Sequence, residues 1–157
     1  MNSELVKEFN KIRDIPYSIP QNNCSRKCIK LKNVLEKYWY ISRYRVCEFN
    51  WMDFNFPPEI KKLIKQNNSL HVFLEVLVEG NIIILDPTWD YKLRNIFEIN
   101  IWDGKSNTKI AVKTNNIYDY NKSENIILWK IKILEDSGNQ SFYKLLNIWF
   151  EKIEFNK

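Results

Sequence analysis

The sequence predicts an α+β fold, and because no internal repeat or Gly/Ser-rich linker divides it, we expect a single domain over residues 1–157. Three observations lead to this expectation. An apolar stripe with helical spacing begins at Cys24, two β-branched segments flank Glu79-Gly80-Asn81 as in a β-hairpin, and the C-terminal tail again has helical character.

Two helices are predicted in the N-terminal part of the chain. The first covers Ser3 to about Arg13, with Ser3 as its N-cap, and a proline-containing turn follows it. The second covers Cys24 to about Tyr38 and would be capped by Asn22 or Asn23. Four residues form its apolar stripe: Cys24, Cys28, Leu31 and Leu35.

The middle of the chain has the composition of β-strands. Arg43 to Phe49 is predicted as a strand, and Pro57 to Gln66, which opens on two prolines, as a short helix. His71 to Val78 and Ile82 to Asp86 are the two strands of the hairpin, and a proline ends the second.

The remaining predicted elements are a strand and two helices. The strand lies at about Lys109 to Lys113. The helices cover about Ser123 to Leu134 and Gln140 to Phe155, and the sequence Asp136-Ser137-Gly138-Asn139 predicts a turn between them.

Charge and hydropathy restrict the possible partners. Twenty-four Lys and Arg against nineteen Asp and Glu give a net charge of +5, but the basic residues are interleaved with acids, which argues against a nucleic-acid-binding surface. The longest apolar run, Ile82 to Leu85, is far below the ~20 residues that cross a bilayer, and the N-terminus is charged rather than signal-like. We therefore expect a soluble, cytoplasmic protein without a membrane partner.

The cysteine and histidine counts limit metal chemistry. The three cysteines, Cys24, Cys28 and Cys47, cannot all pair, and no second Cys/His pair has metal-ligand spacing. The single histidine, His71, excludes any site that needs two imidazoles. The sequence thus predicts neither a structural metal nor a cofactor, and any imidazole chemistry belongs to His71.

Cys24 is the candidate nucleophile. A cysteine attacks as its thiolate, and the first turn of a helix favours that form because unsatisfied N–H groups and the helix dipole stabilise negative charge. The nucleophile also needs a base, for which His71 is the one candidate imidazole, and a carboxylate or amide that orients the base. Cys28 and Cys47 are interpreted as small core residues.

The hairpin supplies the third group. A two-residue loop at Glu79-Gly80 places Asp86 on the sheet face of His71, one diagonal away, whereas a Gly80-Asn81 loop would bring Asp90 opposite His71. We prefer Asp86, because Asp90 lies beyond a proline, where regular pairing is not expected to persist.

These residues resemble a known pattern. The segment from His71 to Asp90 is similar to the His-to-Asp hairpin of the transglutaminase-like superfamily, in which a histidine opens one strand and an aspartate closes the next, before a Pro-Thr-Trp sequence. The region from Cys24 to Val46 resembles that superfamily's cysteine helix and following strand. The segment from Trp102 to Val112 is similar to one in uncharacterised prokaryotic members, so the resemblance covers roughly residues 16–112.

The resemblance implies a papain-like core, in which the cysteine-bearing helix packs on a small antiparallel sheet. It implies that Cys24 is the nucleophile, His71 the base and acid, and Asp86 the group that orients the histidine. The expected reaction is acyl transfer from an amide of a peptide, protein or other substrate through a thioester. Water as acceptor would make the protein a peptidase or amidase, and an amine would make it a transglutaminase. The alternative is a non-enzymatic module that binds a peptide or protein on the same fold.

Further residues are candidates for the walls of the cleft and for oxyanion stabilisation. Tyr17 or Gln21 would donate a hydrogen bond to the oxyanion beside the Cys24 backbone N–H. Three tryptophans would line the cleft, although such residues usually pack in a core: Trp51, Trp89 and Trp102.

Overall fold

A computed structural model describes residues 3–133 and 138–153 of the protein. Its helices are α1 (Ser3–Arg13), α2 (Cys24–Lys37), α3 (Pro58–Lys61), α4 (Tyr120–Ile133) and α5 (Gln140–Ile153). Its strands are β1 (Ser42–Asn50), β2 (Asn68–Val78), β3 (Asn81–Leu85) and β4 (Asn116–Ile117), which form one antiparallel sheet in the order β3-β2-β1-β4. The expected α+β class is confirmed for these residues. None of the described helices has the length and apolar character that a membrane span requires.

The two N-terminal helices form where the sequence predicts them. Ser3 is the first residue of α1 rather than its N-cap. Of the two candidate caps of α2, Asn23 takes the role, because its Oδ1 accepts a hydrogen bond from the Arg26 N–H at 3.2 Å. The predicted apolar stripe of α2 is buried against α1, β1 and β2.

The buried side chains form two clusters. The first lies between α1, α2 and the sheet, and it includes the α2 stripe, Phe9, Val72 and Leu74. The second is rich in aromatic rings and gathers residues from β1, from the connecting segments and from α5. Its fully or almost fully buried aromatic members are Tyr17, Phe49, Trp51, Phe56, Trp89, Phe142, Tyr143 and Phe150.

The hairpin has the register that the preferred Glu79-Gly80 loop predicts. Val78 pairs with Asn81, so the two-residue loop is Glu79-Gly80, and the pairing continues to Leu74 with Leu85. Glu79 and Gly80 both have positive φ, at 48° and 81°, which a tight hairpin turn of this hand requires. The alternative Gly80-Asn81 loop is therefore wrong. β2 begins three residues before the predicted His71, and β3 ends at Leu85, one residue before Asp86.

The strand predicted at Lys109 to Lys113 is wrong. The Thr108 N–H does donate to the Ile84 carbonyl of β3 at 2.8 Å, but the chain then turns away from the sheet. The Ala111 N–H bonds instead to Oδ2 of Asp86 at 2.7 Å, so a side-chain carboxylate replaces a strand as its acceptor. The fourth strand is β4, which pairs with the opposite edge at β1.

The helix predicted at Pro57 to Gln66 is much shorter in the structure. α3 ends at Lys61, and the N–H groups of Lys65 and Gln66 donate to Oδ1 of Asn139 at 2.9 and 3.0 Å. An acceptor that is distant in sequence thus takes N–H groups that a longer helix would have used.

The C-terminal helices are confirmed in their described parts. α4 begins at Tyr120, three residues before the predicted start, and α5 begins at Gln140 as predicted. Leu134, Phe155 and the first two residues of the predicted turn, Asp136 and Ser137, lie outside the described residues.

Candidate active site

Cys24 is the first residue of α2 and is buried, with 6% of its surface exposed. The preceding Asn23 shapes this helix start: its Oδ1 accepts from the Ser25 hydroxyl at 3.1 Å as well as from the Arg26 N–H. Because the first N–H groups of a helix have no intrahelical partner, this position favours negative charge on the Cys24 sulfur.

His71 lies in β2, opposite Cys47 of β1, and is 2% exposed. Its Nε2 lies 2.7 Å from Oδ2 of Asp86. The side chain of Cys24 also interacts with this imidazole and favours its protonated form. The structure therefore brings the three residues predicted as a triad into one contiguous group.

The charge state of His71 depends on these two partners. Burial lowers the pKa of the imidazole, but the Asp86 carboxylate and the Cys24 sulfur stabilise the imidazolium more strongly and raise the pKa of His71 to about 9. At neutral pH the charged imidazolium is thus favoured, with the Asp86 carboxylate as its counter-ion.

Asp86 is fully buried and is held on both of its carboxylate oxygens. Oδ2 binds His71 and accepts from the Ala111 N–H at 2.7 Å, while Oδ1 accepts from the Thr88 N–H at 3.1 Å and the Thr88 hydroxyl at 2.5 Å. The Asp86 N–H donates to the Thr108 hydroxyl at 2.9 Å. This set of bonds fixes the carboxylate toward the imidazole and compensates its burial.

Thr88 and Thr108 were not predicted as members of the site. The signal for Thr88 is present in the sequence, because Asp86-Pro87-Thr88 is the pattern of an Asx turn, in which an aspartate accepts from the N–H two residues later. Thr108 lies more than twenty residues from Asp86, and no local pattern indicates their contact.

Lys27 is a third residue beside this group that sequence reasoning did not assign to the site. It follows Cys24 by one helical turn and is completely buried. Its Nζ donates to the carbonyl oxygens of Arg13 at 2.7 Å and Thr88 at 2.9 Å. Burial lowers the pKa of Lys27 to about 8, although the nearby charge of Asp90 opposes this effect.

Asp90 does not take the orienting role. Its Oδ2 accepts from the Tyr17 N–H at 2.8 Å, and its Oδ1 accepts from the Lys92 N–H at 3.2 Å, which caps the short 3-10 helix Tyr91–Leu93. The preference for Asp86 over Asp90 therefore agrees with the geometry around His71.

A cleft lies beside this group, with an empty volume of about 410 Å³ that includes space open to solvent. Cys24 and His71 line it together with Trp51 and Trp89, which were predicted as cleft walls. Its other lining residues are Tyr17, Ile19, Asn23, Phe49, Phe54, Ser69, Leu70, Thr88, Val112 and Tyr143.

Four of the other residues singled out from the sequence do not line the cleft. Trp102 packs on Phe9 in the first cluster, with ring centroids 5.7 Å apart, and does not line the cleft. Gln21 is exposed. Cys28 and Cys47 are fully buried, as core residues are.

Of the two predicted donors to the oxyanion, Tyr17 is the one that lines the cleft. It is 8% exposed and lines the cleft. Burial raises the pKa of Tyr17 well above its ordinary value, and the charge of Cys24 adds to this effect. The phenol consequently keeps its proton and can donate a hydrogen bond.

The described residues contain no group of three or more His, Cys, Asp and Glu side chains that could hold a metal ion. Comparison of the chain with protein-family models, curated proteins and solved structures gives no significant match. The interpretation of the site consequently depends on its own geometry.

Proposed function

We propose that the protein is a cysteine-dependent acyl-transfer enzyme with a Cys24-His71-Asp86 triad on a papain-like core of the transglutaminase-like type. One observation carries the proposal: a buried imidazole contacts a fixed carboxylate and interacts with a cysteine at a helix N-terminus that lines the same cleft. The chain order also supports it, because the cysteine helix precedes the strand with the histidine, and the aspartate directly follows the paired strand.

In the proposed reaction, the Cys24 thiolate forms a bond to the carbonyl carbon of an amide, and the carbonyl electron pair moves to the oxygen. The C–N bond then breaks as His71 transfers its proton to the leaving amine, which leaves a thioester on Cys24. Water or an amine attacks the thioester, and His71 accepts the proton of this acceptor. Collapse of the second intermediate releases an acid or a new amide and restores the thiolate. The acceptor decides between hydrolase and transferase.

The proposal is tested by alkylation with iodoacetamide over about pH 5 to pH 9, with peptide mapping of the three cysteines. In the wild type, Cys24 should react fastest and should keep its reactivity below pH 7. The variant His71→Ala should slow this reaction by up to about 30-fold at pH 7 and by more at pH 5, because a thiol without its imidazolium partner is only a few per cent thiolate at pH 7. Urea-unfolded protein is the control, since all three cysteines should react alike in it.

Equal, slow labelling of the three cysteines in the folded protein would contradict the proposal. That result, or Cys24 labelling that does not depend on His71, would favour the non-enzymatic binding module. Circular dichroism of His71→Ala establishes that the variant is folded before the rates are compared.

A further inference from the structure

Trp51 carries a buried hydrogen-bond donor that the fold does not use. Its side chain is 4% exposed, and its Nε1 has no hydrogen-bond partner among the described residues. By contrast, the indole N–H groups of Trp89 and Trp102 donate to the carbonyls of Ala111 and Ser106, each at 3.0 Å. Because native structures pair nearly all buried polar groups, this unpaired N–H is a candidate hydrogen-bond donor to a ligand.

Trp51 belongs to the wall of the cleft beside Cys24. It lies directly after β1 and packs edge-on against Phe49, with ring centroids 4.8 Å apart. Phe49 in turn contacts the imidazole of His71, with ring centroids 6.3 Å apart. A single aromatic ring therefore separates the Trp51 ring from the proposed catalytic base.

Among the described residues, the walls of the cleft carry no charged side chain apart from the proposed Cys24–His71 ion pair. None of the described Asp, Glu, Lys and Arg residues lines it, and the walls are mostly aromatic and aliphatic. An ionised group that entered such a cleft would lose its hydration without gaining a free counter-ion, because His71 is already paired with Asp86 and Cys24, whereas an apolar group would gain contact with the rings.

We propose that the cleft binds the acyl side of the amide substrate as an uncharged, apolar group with one hydrogen-bond acceptor, and that the Trp51 indole N–H is the specificity-determining donor to that acceptor. This inference rests on the proposed function, because it places the group beside a reactive Cys24. Pairing with the acceptor removes the cost of the unsatisfied N–H, so substrates that lack the acceptor are rejected.

The test uses N-benzyl iodoacetamides with an acetyl, isopropyl or carboxylate substituent in the meta or para position. The three substituents are similar in size, but only acetyl is a neutral acceptor and only carboxylate is charged. Rates of Cys24 alkylation are divided by each reagent's rate with glutathione. In the wild type, the better acetyl probe should exceed its isopropyl counterpart by about 3- to 10-fold, the range that one hydrogen bond supplies. The carboxylate probes should be the slowest.

Two matched variants locate the effect. Trp51→Phe should remove the advantage of acetyl over isopropyl. Trp89→Phe alters another wall of the same cleft, but the Trp89 N–H is already paired, so this variant should slow both probes alike and keep their ratio.

If Trp51→Phe does not fold, an NMR measurement on the wild type tests the same inference. The indole N–H signal of Trp51 should move to higher proton frequency after alkylation with the acetyl probe and not with the isopropyl probe. Rapid alkylation of Cys24 without discrimination among the probes, or an unchanged Trp51 signal, would overturn the inference and leave the proposed function standing. Slow reaction of Cys24 with every probe, iodoacetamide included, would instead count against the proposed function.

Discussion

Lys27 and Thr88 are joined by a buried hydrogen bond, in which Nζ of Lys27 donates to the Thr88 carbonyl oxygen at 2.9 Å. The bond links the helix that begins at Cys24 to the segment that holds Asp86. The proposed nucleophile and the proposed orienting carboxylate are thus linked by a residue that takes no part in the proposed chemistry.

Substitution Lys27→Met should destabilise the protein by about 2–4 kcal/mol, because it leaves the buried Arg13 and Thr88 carbonyls without their donor and removes a charge that faces Asp90. Urea unfolding at pH 7 measures the change. The control is Lys30→Met on the exposed side of the same helix, which should shift stability by no more than about 0.5 kcal/mol. Equal effects of the two substitutions would contradict a role for the buried bonds.

Substitution Asp86→Asn should lower the pKa of His71 and slow Cys24 alkylation by up to about 30-fold at pH 7, since a neutral amide does not stabilise the imidazolium that favours the thiolate. The pKa is read by NMR without ambiguity, because the chain has one histidine. Asp90→Asn is the control: it disturbs bonds to Tyr17 and Lys92 but should leave the His71 titration nearly unchanged. If only the Asp90 variant changed the pKa of His71, Asp90 rather than Asp86 would be assigned as the group that orients His71.

The stability of a Cys24→Ala variant should fall as the pH rises above about 6.5. Burial opposes the imidazolium, whereas Asp86 and Cys24 together raise the pKa of His71 to about 9 in the wild type. In Cys24→Ala only Asp86 remains to favour the imidazolium, so we expect a folded pKa below about 9 but above the unfolded value of 6.5. Between these values the folded state binds more protons than the unfolded state, so the free energy of unfolding decreases with pH. The stabilisation that His71 contributes is fully present below its unfolded pKa. It is lost as the pH rises through its folded pKa, and its total is on the order of 1–3 kcal/mol.

The Cys24→Ala background is needed for this measurement, because a thiol that loses its proton on folding would offset the proton that His71 gains. Urea midpoints between pH 6 and pH 9 are compared for Cys24→Ala and for the double variant that adds His71→Gln. Because Lys27 is present in both proteins, subtracting one pH profile from the other removes the contribution of its titration. Parallel pH profiles would show that His71 has no raised pKa in the folded state.

Substitution Asn23→Ala should cost about 1 kcal/mol of stability, the usual loss for an N-cap, and should also slow Cys24 alkylation because the start of α2 loses its fixed geometry. Thermal unfolding and labelling measure the two effects. Asn22→Ala changes the neighbouring asparagine, which is not the cap, and should have the smaller effect on both. If Asn22→Ala had the larger effect, the capping assignment would be wrong.

The elements that carry the proposed triad could be predicted from local patterns, whereas the grouping of Cys24 with His71 and Asp86 rested on the resemblance to the transglutaminase-like pattern. The apolar stripe that starts at Cys24 indicated a helix with the cysteine at its first turn, and the Glu79-Gly80 loop established the register that places Asp86 near His71. Both inferences depend on interactions among residues that are close in sequence, and the structure agrees with both.

The strand expected at Lys109 to Lys113 failed for a physical reason. Its composition favours a strand, but the N–H groups of Lys109 and Ala111 bond to the side chains of Asn100 and Asp86. These acceptors become available only when distant segments meet, so no pattern within the segment itself indicates them.

Helical periodicity, turn chemistry and strand alternation act over a few residues, and they were sufficient for the α+β class, the cysteine helix and the hairpin with its histidine and aspartate. The tertiary structure decided how the group is supported: the four bonds to the Asp86 carboxylate, the buried Lys27 and the unpaired N–H of Trp51 all depend on where distant segments pack. The hydrogen-bond partners of a buried polar group are often distant in sequence. The residues of the proposed triad could therefore be predicted from the sequence, whereas the residues that hold them in place could not.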